Sequence, residues 1–299
     1  MLAIAFEIGM CNATGEFRQR IIDAFELQGE TIEHAAESAT WTNRVERQPY
    51  NIKSFHHWHF QKTPINPDGM DVVSKYYSDG ADCILNDNIQ MLTRHRASTP
   101  WAFILNFKLL LGTMCDVHSV FHLTELFNQE FLDGDDNANK FMVKFGGKTR
   151  SLLSVWENGC GEFSSEVNWK KLNSTVDKLL KETPIFNYDI SFLNYKNSVN
   201  KIKEETIKLT KDYGYADLRS GSELSNSYIE KCKEVTKTQV VKAGYALQDL
   251  FNKISFETYG NYQQKSPTTI RKSEVIAWTL FVFLFPSAII IVFHKFFGE

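Results

Sequence analysis

The 299-residue sequence has little excess charge of either sign: 33 Lys and Arg stand against 36 Asp and Glu, for a net charge of −3. That balance excludes the broad basic surface that drives salt-dependent binding of nucleic acids, so a charged substrate has to be captured locally. There is no internal repeat and no low-complexity tract. The first ten residues contain neither a positively charged n-region nor an apolar stretch of useful length, so no signal peptide is visible. Cysteine is scarce at five and histidine at eight. Five cysteines allow one or two disulfides in an oxidising compartment and leave at least one over.

What is present is a hydrophobic fraction of 43% and an aromatic fraction of 13%, ordinary for a globular chain with a generous core. Val167 to Tyr213 carries spaced apolar residues such as Leu172, Val176, Leu179 and Leu180 among Lys and Asn, as amphipathic helices do, and Pro184 punctuates it. From Val275 to Phe293, nineteen residues run without a charge, close to the ~20 that span a bilayer as a helix. Lys253 to Ser273 then reads as a polar linker. The division expected is a helical domain at 1–252, a linker at 253–273 and a membrane anchor at 274–297. Arg271 and Lys272 on one side of the run nearly balance Lys295 on the other, so the positive-inside preference leaves orientation open. The triplets Asn12-Ala13-Thr14 and Asn173-Ser174-Thr175 suit glycosylation of a lumenal or extracellular body. A tail-anchored, cytosol-facing arrangement stays open beside it.

Potential chemistry concentrates in Asp116-Val117-His118-Ser119-Val120-Phe121-His122, three possible metal ligands in seven residues. The apolar run Trp101 to Leu111 before it has no Gly or Pro and reads as a buried helix continuing into the His segment, which places His118 and His122 on one face. Taken alone, such a pair is more commonly two core histidines bonded to carbonyls. Two further segments accompany it: His56-His57-Trp58-His59-Phe60, and Leu152-Leu153-Ser154-Val155-Trp156-Glu157 after the turn at Gly146-Gly147.

Five segments keep one order: Ala39 to Asn43, Trp58-His59-Phe60, Gly112 to His122, Gly134 to Asn139, and Ser151 to Glu157. Lys242 to Asn252 adds a closing helix containing Ala243-Gly244. In this order the chain resembles the class I zinc-dependent single-strand nucleases and 3'-nucleotidases of the mung-bean type, which share an all-helical, trinuclear zinc fold with bacterial phospholipase C. The resemblance runs from about Ala5 to Asn252. It implies an all-α fold class, zinc as cofactor, and single-stranded nucleic acid or nucleotides as partners.

Carried over position by position, the resemblance makes His59, Asp116 and His122 metal ligands, with Glu157 where the family has Asp and Asn43 where it has the aspartate of Trp-Ala-Asp. Asp116 is the expected catalytic centre and Phe60 the base-stacking ring. Met10, Gly112 and Leu153 stand where histidines belong, and Ala5 where the ligating tryptophan would be. Zinc asks for three or four N, O or S donors, and these replacements offer at best a thioether or a neutral carbonyl oxygen. The family's phosphate-side arginine falls on Glu46, with Arg47 next to it, and its base-side aspartate falls on Lys62. A carboxylate at 46 is expected to repel a phosphodiester. Val120, in place of a proline, is expected to straighten the helix. His56, His57 and a Cys115 thiolate are conceivable replacement ligands. The resemblance also implies a Cys83 to Cys232 disulfide. Two readings follow: a membrane-anchored nuclease with weakened or lost catalysis, or a pseudoenzyme acting as a nucleotide-binding or protein-interaction module.

Overall fold

Two glycines set a close helix crossing. Helix α9 (Asn226–Phe251) runs 26 residues and packs against α1 (Leu2–Gly9). A Cβ on Gly244 would lie 2.4 Å from the Ile8 Cβ, and one on Gly9 would lie 2.8 Å from the Leu247 Cβ. Backbone therefore meets backbone there, which explains the glycine of the Ala243-Gly244 pair. Ser225 opens α9 by accepting from the Tyr228 N–H at 3.2 Å, an N-cap of the ordinary kind.

The computed structural model describes residues 1–254 apart from 12, 48, 73–79, 94–99, 164–165 and 185–193. Met1–Ser255 is one compact unit. The proposed anchor and nearly all of the linker lie outside the described residues. No helix among the described residues is long and apolar enough to cross a membrane. Of the two glycosylation triplets, Asn12 is outside the described residues and Asn173 is exposed on α7 (Leu172–Glu182).

The centre of the unit is α5 (Pro100–His118), with Ile104, Phe107, Leu110, Leu111, Met114 and Val117 buried. It packs against α4 (Ala81–Thr93), α8 (Tyr195–Leu209), α9 and the short α3 (Trp41–Val45). Lys108, 2% exposed, fixes α3 against α5. Its ammonium sits over the rings of Phe25 (4.2 Å) and Trp41 (4.7 Å) and bonds Glu30. Helix α2 (Gly15–Glu26), capped by Thr14, covers this end. The amphipathic reading of the middle region holds for α7 and α8: Leu172, Val176 and Leu179 are buried on α7, as are Tyr195, Val199 and Ile202 on α8.

The unit is mainly helical, and two small sheets qualify the all-α expectation. Strand β1 (Thr63–Ile65) pairs in parallel with β2 (Thr124–Leu126), in the register Thr63 to Thr124. Strands β3 (Met142–Phe145) and β4 (Lys148–Ser151) form a hairpin about Gly146 and Gly147, whose φ values of 60° and 73° only glycine adopts freely. Ser151 then caps α6 (Leu152–Glu157).

The helix expected to carry both His118 and His122 ends at His118. Phe121 takes φ 78°, buries its ring against Trp156 (5.8 Å) and Tyr215 (4.9 Å), and turns the chain without the proline that Val120 replaces. The disulfide also differs from the expectation. Cys232 is bonded to Cys160, with 6.0 Å between the Cα atoms, not to Cys83. The reason is packing: Cys83 lies on α4, which is held by α5 and α8, whereas the Gly159–Gly161 turn carrying Cys160 packs on α9 beside Cys232.

Candidate functional site

The site is assembled where β1 and β2 bring two distant segments together. Gln61 N donates to His122 O (2.7 Å) and Thr63 N to Leu123 O (3.2 Å), so the chain after His59 is laced to the chain after Asp116. Asn137, fully inside the fold at φ 53°, locks this junction. Its side-chain amide lies 2.8 Å from Thr124 O, 2.9 Å from Gln61 O and 3.1 Å from Phe121 O. The sequence signal for this residue is its position in the Gly134 to Asn139 motif.

The junction places five ionisable side chains in a row. His59 Nδ1 contacts Asp116 Oδ2 at 2.7 Å, and its Nε2 lies 3.3 Å from Glu46 Oε1. Asp116 Oδ1 lies 3.3 Å from His122 Nδ1, which donates to His59 O at 3.0 Å, and His122 Nε2 is 3.4 Å from Glu157 Oε1. His56 Nδ1 extends the row outward, 3.2 Å from Glu46 Oε2. His122 Nε2 and Glu46 Oε1 are buried without a hydrogen bond of good geometry, so both face their neighbours as charge partners.

Electrostatics follow from this crowding. Burial alone would lower the His59 pKa, but the Asp116 and Glu46 carboxylates outweigh it and raise it to about 10. His122 is raised to about 9 in the same way, burial being outweighed by Asp116 and Glu157. Burial pushes the Asp116 and Glu46 carboxyls upward, and their histidine neighbours bring both below the usual range. Cys115 is pushed up to about 12 by burial and by Asp116, so it stays a thiol and offers no thiolate ligand. His118 donates Nδ1–H to Met114 O at 2.7 Å, and burial lowers its pKa to about 4, which keeps it neutral.

Glu46 was expected to repel a phosphodiester. The structure instead turns it inward as a partner of His56 and His59. Phe60, expected as a stacking platform, has its ring stacked on His122 (4.8 Å, 27°) and tilted against His56 (5.4 Å). Asn43 is exposed and lines the same cleft of about 780 Å³ as His59, Asp116, His122 and Glu157. Lys62 bonds Glu125 at 2.8 Å, and His57 packs edge-on to Trp58.

A model of the S1/P1 nuclease family matches residues 11–255. The chain belongs to the S1/P1 nuclease family. A comparison with curated proteins found no match.

S1/P1 nucleases depend on zinc, so the donor set can be tested against it. Among the described residues, no group of three or more His, Cys, Asp or Glu side chains is disposed to hold a metal ion. Of the positions that replace family ligands, Ala5 and Asn43 line the cleft, whereas Met10, Gly112 and Leu153 do not. Met10 is fully buried in the core, and Leu153 joins the cluster around Phe121 and Trp156. A Cβ at Gly112 would lie 2.9 Å from Thr42 Oγ1, so Thr42 occupies the space where a histidine side chain would start. The histidines that remain face carboxylates of this chain on both ring nitrogens. The donor set does not fit the family's zinc cluster.

Proposed function

We propose that this S1/P1-family chain binds single-stranded nucleic acid or nucleotides in the cleft and has lost most of the family's zinc-supported hydrolysis. The observation that carries this reading is the row Glu46, His59, Asp116, His122 and Glu157, in which three carboxylates bracket two imidazoles and each ring nitrogen faces a carboxylate of the chain itself. Hydrolysis of a phosphodiester at neutral pH needs an activated water and cations to clamp the phosphate oxygens. His59 and His122, charged and fixed between carboxylates, can offer neither a free lone pair as a base nor a site of net positive charge. What the cleft does keep is a concave, partly apolar wall and rim cations, suited to holding a ligand.

The test is zinc content by elemental analysis of the purified full chain, beside hydrolysis assays on single-stranded RNA and a 3'-nucleotide. Absence of zinc and of turnover, with retained oligonucleotide binding, is the expected result. Two or more zinc ions with chelator-sensitive hydrolysis would overturn the proposal and favour an active nuclease that recruits other ligands.

From the sequence alone we also place the apolar run 275–293 as a single-pass anchor, with the body lumenal or extracellular. Carbonate-resistant membrane association of the full chain, lost when 275–293 is removed, is the result expected. Glycan at Asn173 would fix the side.

A further inference from the structure

A short, backbone-bonded loop after α3 contributes to the lining of the cleft. Asn51 N donates to Arg47 O and Ile52 N to Val45 O, both at 2.9 Å, and Lys53 Nζ donates to Glu46 O at 2.8 Å. Asn51 takes φ 50° at the reversal. At the two ends of this loop, the rings of Trp41 and Phe55 pack at 5.9 Å and those of Phe55 and Trp58 at 4.8 Å. Within the loop Tyr50 is 63% exposed and Ile52 41% exposed. Arg47 and Lys53 are exposed and line the cleft that holds His59 and Asp116. The one carboxylate of the loop, Glu46, is turned inward to His56 and His59, so the outward face is cationic.

We propose that this loop is a ledge for a single strand of nucleic acid leaving the cleft, with Tyr50 stacked on a base and Arg47 and Lys53 on the flanking phosphates. The inference rests on the nucleic-acid reading above and adds a binding path to it. A single strand is recognised without sequence preference by aromatic rings along a cationic track, because every base has a π-face and every linkage a phosphate. The backbone bonds hold the turn before any ligand arrives, so little order remains to be imposed on it at binding. The arrangement also accounts for a chain of net charge −3 handling a polyanion: its cations are used locally.

The experiment is fluorescence anisotropy of labelled oligothymidylates, roughly 4 and 12 nucleotides long, with the full chain at several salt concentrations. Tyr50→Ala is expected to weaken the longer oligonucleotide about tenfold and leave the shorter unchanged, while Tyr50→Phe keeps wild-type affinity. Arg47→Ala with Lys53→Ala is expected to lower the slope of log affinity against log salt by about 1.4, two phosphates at about 0.7 each for a single strand. All these side chains are exposed or at the rim, and unchanged melting temperatures check that the fold is intact. Wild-type binding that Tyr50→Ala leaves untouched, or an unchanged salt slope in the double variant, sinks the ledge and spares the cleft. A wild-type chain that binds neither oligonucleotide sinks both.

Discussion

The pH dependence of stability separates a self-matched site from a zinc-loaded one, because the two predict opposite signs. His59 is raised from 6.5 to about 10 and His122 from 6.5 to about 9. A group whose pKa is raised on folding contributes fully below its unfolded value and loses that contribution as pH climbs through the folded one. The folded chain is therefore expected to lose stability from about pH 6.5 upward, most steeply between 7 and 9, where both imidazoliums contribute. At 1.36 kcal/mol per pKa unit the His59 value alone sets a ceiling on the order of 5 kcal/mol. Removing one partner of a buried pair costs about 3–5 kcal/mol, which gives the same scale. A zinc site behaves in reverse, since its ligands must be deprotonated and its affinity rises with pH over this range. The assay is urea unfolding at intervals from pH 5 to 9.5, with chelator and with added zinc, on wild type and Asp116→Asn. The variant should be about 3–5 kcal/mol less stable at pH 6, with a flatter profile. A wild-type profile that is flat or rising between pH 6.5 and 8.5, or one that zinc lifts strongly, would refute the reasoning.

Gly112→His alone should destabilise by about 1–3 kcal/mol through the clash with Thr42, and adding Thr42→Ala should recover most of it in thermal melts. With Asn43→Asp as well, zinc content by elemental analysis should rise above that of wild type. Gly244→Ala should cost at least ~3 kcal/mol in urea unfolding, since its Cβ would overlap Ile8 at a backbone contact. Cys160→Ser should lower stability by about 4 kcal/mol under non-reducing conditions, from a separation of 72 residues, and Cys83→Ser should leave the Cys232 disulfide intact in peptide mapping.

Much of the candidate site was legible one-dimensionally. The Asp116 to His122 segment, the His59-Phe60 pair and Glu157 carry donors whose order matches the family, and the structure brings all of them to one cleft. An apolar run without Gly or Pro announced α5, and spaced apolar residues announced the helices of the middle region, because both are local properties of the chain. That the helix ends before His122 is not legible in the sequence, because nothing local shows that Phe121 takes a positive φ against distant Trp156 and Tyr215.

The sequence by itself determined the family, the helical character, the surviving donors and the replaced ones. These follow from residue order and side-chain chemistry alone. Tertiary structure alone decided what the survivors do. Glu46 became a partner of His59, Thr42 closed the space at Gly112, and Cys160 rather than Cys83 met Cys232. Each of these outcomes depends on which segments pack side by side, and a hydrogen bond, a clash or a disulfide has a reach of a few ångströms that separation along the chain does not reveal.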